Sequence, residues 1–520
     1  MSVPSLAEPA VEPFDVRALA SGDGGPTWVK VVDQTKCIGC HACTTACKQE
    51  NEVPLSVNRT YVKAVDVGVF PQVRRAFQVT RCNQCEDAPC VAACPTAAMY
   101  RRPDGIVDFD KSVCIGCKAC MAACPYDAIF INPQDHSAEK CNFCSHRIDG
   151  GLEPACVVVC PVEAILVGDV NDPASKVAQI VQRAPVAVRR PEKETRPKLF
   201  YKGAHQATLD PLAASRPDGG LFMWSEQSGL SSGHPTPGSS VAAALLAYDV
   251  PHRAPWDWRV GLYTWTKSIA AGAYLAALLL AVAGLVAWSS SLWLWAAPLV
   301  AAGFLGATGA ILVWDLEHPL RFALIFLRPQ WRSWLVRGAF VIAGYAAVLG
   351  LHVLLSLAGL ESPQRWLAVV GAPLAAMAAV YTGYLFAQAK ARDLWQSPLL
   401  PPHLLVQAFL AGSAALLPLA LWLDEDAVEP LAWMLGIAAA VHLLVVLGEV
   451  TLTHPTAHAH LAVRELVRGR LARFFWAGVV LVAVAVATPW IGVVAVPFAL
   501  AGLAAYEHAH VQAGQAVPLA

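Results

Sequence analysis

The sequence predicts two unlike parts, a small cysteine-rich α+β domain and then an all-α polytopic membrane domain of about eight helices. Two observations carry this. All sixteen cysteines of the 520-residue chain fall between Cys37 and Cys160, in four runs of four. Apolar stretches near the length of a bilayer crossing recur only after about residue 260, in a chain that is 56% hydrophobic overall.

The runs are Cys37-Cys40-Cys43-Cys47, Cys82-Cys85-Cys90-Cys94, Cys114-Cys117-Cys120-Cys124 and Cys141-Cys144-Cys156-Cys160. The first and third are spaced C-x2-C-x2-C-x3-C. The second and fourth keep both ends of that pattern and stretch the middle gap. Pro95, Pro125 and Pro161 follow the last cysteine of three runs. Disulfides suit small secreted domains, and C-x2-C neighbours are poorly placed for bridging. Zinc wants four thiolates but does not explain the third cysteine, the fourth and then the proline. The spacing resembles that of bacterial ferredoxins, where three thiolates of a run hold one 4Fe–4S cubane and the fourth reaches another. Four ligands per cluster use all sixteen cysteines and predict four 4Fe–4S clusters.

On these runs the first 170 residues resemble the four-cluster iron–sulfur subunits of the DMSO reductase superfamily. The resemblance implies an α+β dicluster-ferredoxin-type domain, two ferredoxin-like modules over 29–170, preceded by an N-terminal extension, 1–28. It also implies nested pairing. Cys37, Cys40 and Cys43 would share a cluster with Cys160, and Cys141, Cys144 and Cys156 with Cys47. Cys82, Cys85 and Cys90 would pair with Cys124, and Cys114, Cys117 and Cys120 with Cys94.

After a stretch rich in Pro, Gly, Ala and Ser (171–255), read as a strap along a partner or a flexible tether with loops at Ser231-Ser232-Gly233 and Pro237-Gly238, the composition changes. Candidate spans lie at roughly 265–288, 292–314, 338–359, 366–388, 403–423, 430–452, 472–488 and 490–507. The last two share one apolar stretch that would be about 54 Å long as a single helix, too long for one crossing. The break at Thr488-Pro489-Trp490 predicts a hairpin there. Lys and Arg from Arg253 to Arg473 crowd one face, against Arg365 alone beside the acidic Asp424-Glu425-Asp426 loop on the other. That bias places the cysteine domain on the cytoplasmic side of the inner (cytoplasmic) membrane. Met1 to Val16 has no export-signal pattern, and a reducing cytoplasm suits cluster-forming thiols. The formal net charge of −1 offers no field for nucleic acid.

In the membrane half, Trp314-Asp315-Leu316-Glu317-His318-Pro319-Leu320-Arg321 is followed by Trp331-Arg332-Ser333-Trp334. With Tyr381-Thr382-Gly383-Tyr384-Leu385, Trp395, Pro398, Leu399, Glu449 and His454, it resembles the polysulfide reductase/NrfD-type membrane anchors. The anchor would span 256–510, before a tail, 511–520. The two subunits are usually separate chains, and here they are fused. The resemblance implies an electron relay rather than a substrate-converting enzyme, with a separate molybdopterin- or tungstopterin-containing catalytic subunit as partner and the membrane quinone pool at the other end.

The polar residues near the cytoplasmic ends of the spans are the quinone candidates: Tyr263, Lys267, Asp315, His318, Arg321, Tyr384, Glu449 and His454. Each has a plainer reading. Lys267 can snorkel, Tyr263 can belong to an aromatic belt, and Asp315 can pair with Arg321. His352 and His442 are the histidines well inside the spans, enough for at most one haem b, which is the less expected use of them. Two alternatives to the quinone-linked relay stay open: a redox-driven ion-translocating component, and a passive anchor serving a soluble carrier. The polar groups are few and mostly at one membrane face, which argues against a full ion path. Compartment favours substrates made inside the cell, such as sulfite or an acyl-CoA thioester.

Overall fold

The structure is a computed structural model that describes residues 25–215 and 244–520. Both proposed loop signals between 231 and 238, and most of the N-terminal extension, lie outside the described residues.

The strand Trp28–Asp33 alternates strictly. Val29 and Val31 pack with Val177, Val181 and Phe200 on one face, while Lys30 and Val32 point to the other, where Val32 packs with Cys43 and Cys156. It pairs antiparallel with Ile165–Asp169 and parallel with Leu199–Lys202, whose far edge carries Val186–Ala187. A long hairpin, Thr60–Val69 and Gln72–Arg81, takes Ala244–Tyr248 as its third strand. Two short hairpins, Met99–Arg101 with Val107–Phe109 and Ile129–Ile131 with Ala138–Lys140, stand beside the second and third cysteine runs.

The described residues of the 171–255 segment are therefore more than a tether. They supply three strands and the helices Lys176–Arg183 and Gln206–Leu209, which pack with the strands on either side of the cysteine runs. Composition misled here because short strands between prolines carry little periodic signal.

Among the described residues, seven helices are long and apolar enough to cross a membrane: Trp258–Val282, Leu292–Trp314, Trp334–Leu357, Glu361–Ala387, Leu400–Leu423, Glu425–Thr451 and Thr488–Gly514. A shorter apolar helix, Ala472–Ala485, packs antiparallel on the last of them, so the expected hairpin is present, with its turn at Val486-Ala487 directly before Thr488-Pro489-Trp490. The polypeptide returns to the side it started from. Gln515 Oε1 accepts from the Trp256 backbone N–H, and Leu519 O accepts from Arg189 of the cysteine domain. The seven long helices and the shorter Ala472–Ala485 together make the even number of passes through the bundle that this return requires. Residues 515–520 are buried between the two halves rather than trailing free.

The conspicuous Trp314–Trp334 motif is the dock. His318 N–H donates to Ile115 O, Arg321 to Lys111 O and Cys114 O at 2.9 Å each, and Gln330 N–H to Pro95 O. Ser333 Oγ donates to Ala93 O, and the Trp256 indole to Cys117 O. This short loop satisfies the backbone carbonyls around the second and third runs, fixing those runs at the membrane end.

Candidate functional site: cysteine groups leading to a membrane cavity

Each run sits on a bent loop that enters a short helix. The first and third share the tetrapeptide Cys-Ile-Gly-Cys, and Gly39 and Gly116 both adopt φ +69°, followed by His41 (φ 59°) and Lys118 (φ 61°) in the same left-handed region. A side chain at Gly39 would strike the Phe77 ring, and one at Gly116 would strike Glu317. Positive φ turns successive amides toward the same side, the geometry that cradles an anionic group.

The thiols gather in four groups. One small cavity is lined by Cys37, Cys40, Cys43 and Cys160. Another is lined by Cys94, Cys114, Cys117 and Cys120. Cys85 has Cys82, Cys90 and Cys124 within electrostatic range, and Cys47 has Cys141, Cys144 and Cys156. Asn51 Nδ2 lies 3.8 Å from Cys47 Sγ and 3.7 Å from Cys144 Sγ, tying the last group together. Among the described residues no three candidate ligands converge at the spacing of a single metal ion. Thiols arranged around a void suit a multi-atom cluster better than zinc, which draws its sulfurs to about 2.3 Å.

Backbone amides already aim at the sulfurs: Ala164 N–H at Cys160, Gln84 at Cys82, Met99 at Cys94 and Ala138 at Cys114, at 3.2–3.4 Å. Burial pushes the Cys43 thiol up to about 11 and the Cys47 thiol up to about 12. Free, they would stay protonated; bound iron would be what holds such buried sulfurs as thiolates. Cys141 behaves differently. Burial opposes its thiolate too, but Lys30 and Arg81 outweigh that and bring it down to about 7.

Cys117 also lines a second cavity, of about 220 Å³, among the membrane helices. Its walls are mostly apolar (Val260, Leu312, Ile325, Leu335, Ile342 and Leu385), with three polar groups, Tyr263, Asp315 and Tyr381. Of the eight residues singled out from sequence, Tyr263 and Asp315 line this cavity. Lys267 stands directly behind the Tyr381 wall. Its ammonium lies 4.8 Å from the Tyr381 ring centroid and donates to Thr382 Oγ1 at 2.6 Å and Ala379 O at 2.8 Å. At 0% exposure it does not snorkel.

The Asp315–Arg321 pair does not form. Asp315 faces Lys118 at 3.6 Å and Arg259 at 3.3 Å, while Arg321 binds the cysteine loop. His318 likewise belongs to the dock, with Nε2 3.4 Å from Ser137 Oγ. Tyr384 is stacked on Trp334 outside the cavity. Glu449 and His454 are elsewhere. Glu449 accepts from Tyr506 OH at 2.8 Å and lies 3.5 Å from His403, whose other ring nitrogen is 2.9 Å from His442.

Sequence reasoning missed Tyr381 and His403. Tyr381 and Leu385 are one turn apart and share the cavity-facing side, which i, i+4 spacing could have selected over Tyr384. His403 opens its predicted span and so looked peripheral, yet it is 1% exposed. His442 is bonded to His403, and His352 lies 3.2 Å from Trp293 O and beside Tyr274. The two histidines offered for a haem thus have separate surroundings.

Comparison with known proteins agrees with this division. A family described as 4Fe-4S dicluster domain matches residues 73–170, and one described as Polysulphide reductase, NrfD matches 249–501. A polysulfide reductase chain of Wolinella succinogenes is 43% identical over 171 residues, 32% of this protein and 90% of that one. A tetrathionate reductase subunit of Salmonella typhimurium is 40% identical over 196 residues, 36% of this protein and 78% of that one. The arsenate respiratory reductase iron-sulfur subunit ArrB of a Shewanella species is 36% identical over 219 residues, 33% of this protein and 94% of that one. The chain therefore belongs to the family of 4Fe–4S electron-transfer subunits of reductases, fused to a multi-pass membrane domain of the NrfD polysulfide-reductase family.

Proposed function

We propose that the chain is the electron-relay and anchor subunit of a molybdopterin oxidoreductase, with four 4Fe–4S clusters in the nested pairing, linking a separate catalytic subunit to membrane quinone. The observation that carries this reading is that Cys117 is shared by two cavities, the thiol-lined one and the membrane one. When bound, a cubane takes up and returns one electron at a time. The protein's own residues set where electrons enter and leave. At the far end Cys40 is exposed, beside Ile38, 55% exposed, with Val158 nearby in sequence to Cys160 and 63% exposed. An apolar surface around an accessible thiol group suits a partner subunit's face. At the membrane end, Tyr263, Tyr381 and Asp315 can bind quinone oxygens and handle the protons that accompany reduction. The basic bias of the loops supports a cytoplasmic placement of the cysteine domain.

Decylubiquinone added to the purified complex tests this. Binding should perturb the EPR signal of one cluster only, the one altered by Cys117→Ser, and Tyr263→Phe should weaken the effect. An unperturbed spectrum under quinone turnover would move the site away from Cys117.

One observation favours a second reading, ion translocation. Buried polar groups lie at two depths, since Tyr274 OH, 3.5 Å from His352 Nδ1, and Gln364, bonded to Ser356, occupy the half of the bundle away from the cysteine domain. Proton uptake by liposomes during turnover separates the two readings.

A further inference from the structure

Buried, unneutralised cations are distributed unevenly along the cysteine groups. Arg81 ends a strand whose cluster-facing side also carries Val79, and it is 1% exposed. Its NH1 lies 3.0 Å from Cys156 Sγ, while Nε and NH2 are buried without any partner. Lys30, also 1% exposed, points its ammonium at Cys141 Sγ, 3.8 Å away, and rests over the Phe143 ring. Neither enters an ion pair with a carboxylate among the described residues. A guanidinium cannot shed its charge in a protein, and leaving one buried with two unsatisfied nitrogens costs several kcal/mol by order of magnitude. The counter-charge has to be something those nitrogens face, and what they face is thiols.

We infer that Arg81 and Lys30 make the group of Cys47, Cys141, Cys144 and Cys156 the most easily reduced cluster of the four. This rests on the cluster assignment proposed above. Reduction adds a negative charge to a cubane, and a fixed cation in a low-dielectric site favours the reduced form. The other determinant, N–H···S bonding, does not discriminate, because every group has at least one such bond: Cys160, Cys82, Cys94 and Cys114 receive amides as the Asn51 pair does. Charge discriminates by degree. Arg81 is also felt at Cys37 and Cys43, and the buried Lys140 at Cys82 and Cys90, but Arg81, Lys30 and Lys140 all act on Cys141, and the direct cation–sulfur contacts are at Cys141 and Cys156. The group of Cys94, Cys114, Cys117 and Cys120 has Asp315 as its charged neighbour on the membrane side, and Lys118 beside it is already engaged by Asp315 and Glu317. The relay is therefore not level. Electrons rest one step inside the exposed entry group, and the membrane-end cluster passes them on at lower potential.

EPR-monitored redox titration of the iron-loaded complex tests this, with the relevant signal assigned by its change in Cys144→Ser. Arg81→Gln should cut the reduced-to-oxidised ratio of that cluster about tenfold at fixed potential, a fall of about 59 mV for one electron. The signal altered by Cys117→Ser should stay put, and Arg81→Lys should restore most of the shift. Lys30→Met provides the same test from the opposite side. Unchanged midpoints at full iron content, or an equal shift in every cluster, would overturn the inference. So would loss of iron from this site in both variants, since the cations would then serve assembly. A wild-type iron content well below about sixteen per protein would instead defeat the four-cluster assignment beneath it.

Discussion

The first and third cysteine runs begin with the same tetrapeptide, Cys-Ile-Gly-Cys, and fold into the same loop, yet they meet different neighbours. Around Cys37–Cys40 the glycine backs onto Phe77 of its own domain, and Ile38 and Cys40 look outward. Around Cys114–Cys117 the glycine backs onto Glu317 of the membrane half, Ile115 is 1% exposed and packs with Ile325 and Val336, and Cys117 opens on the membrane cavity. The local code makes a thiol loop. The surface that the loop meets decides whether it faces outward or faces the membrane helices.

The largest expected effect comes from separating the two loops. Gly39→Ala and Gly116→Ala each force an L-residue to positive φ, a strain of about 1–2 kcal/mol. Gly39→Ala drives its methyl into the Phe77 ring of its own domain, whereas Gly116→Ala drives it into Glu317 and loosens the dock. Quinone turnover should collapse in Gly116→Ala while artificial-dye reduction by the iron–sulfur domain persists; Gly39→Ala should show neither split. Equal behaviour of the two variants would mean that the dock does not govern the exit.

A smaller effect sharpens where the protons move. Asp315→Asn should slow quinone turnover by about a hundredfold, the low end of what a positioned acid–base group supplies. Glu449→Gln should act less, since Glu449 is not among the cavity's lining residues and serves His403 and Tyr506 instead. Iron content should be unchanged in both. A larger loss in Glu449→Gln would shift the proton route to the His403–His442 side.

The smallest effect concerns the joint between the halves. His252, ahead of the first membrane helix, lies 2.5 Å from Asp127 and 3.1 Å from Asp249. Burial opposes a charged imidazole there, but the Asp249 and Asp127 carboxylates override it and hold its pKa at about 10, against 6.5 unperturbed. The folded value is the higher one, so the stabilisation is complete below about pH 6.5 and disappears as pH rises through 10. Thermal unfolding should fall across that window in the wild type and more shallowly in His252→Gln. Parallel slopes would show that the histidine is not charged.

The cysteine runs were legible because ligand spacing is a local, one-dimensional constraint: the metal's geometry is written into the loop. The apolar stretches were legible for a similar reason, since a bilayer imposes a length. Even the hairpin at Pro489 could be read from arithmetic. The roles of His318 and Arg321 could not. Both are polar, basic and at a helix end, as a quinone ligand would be, and they bond instead to carbonyls some 200 residues away in sequence. Tyr381 was passed over for Tyr384 because a sequence names both tyrosines but not which helix face borders the void.

Composition, spacing and length thus determined by themselves that this protein carries iron–sulfur thiols on a membrane anchor. Only the tertiary structure decided that the described strands of 171–255 pair into the sheets of the cysteine domain, that Cys117 rather than Cys40 meets the membrane half, and that Arg81 and Lys30 face sulfur without a carboxylate. The physical reason is range. Chelation and bilayer crossing act along short stretches of sequence, whereas strand pairing, docking and the field of a buried charge depend on atoms that only folding brings together.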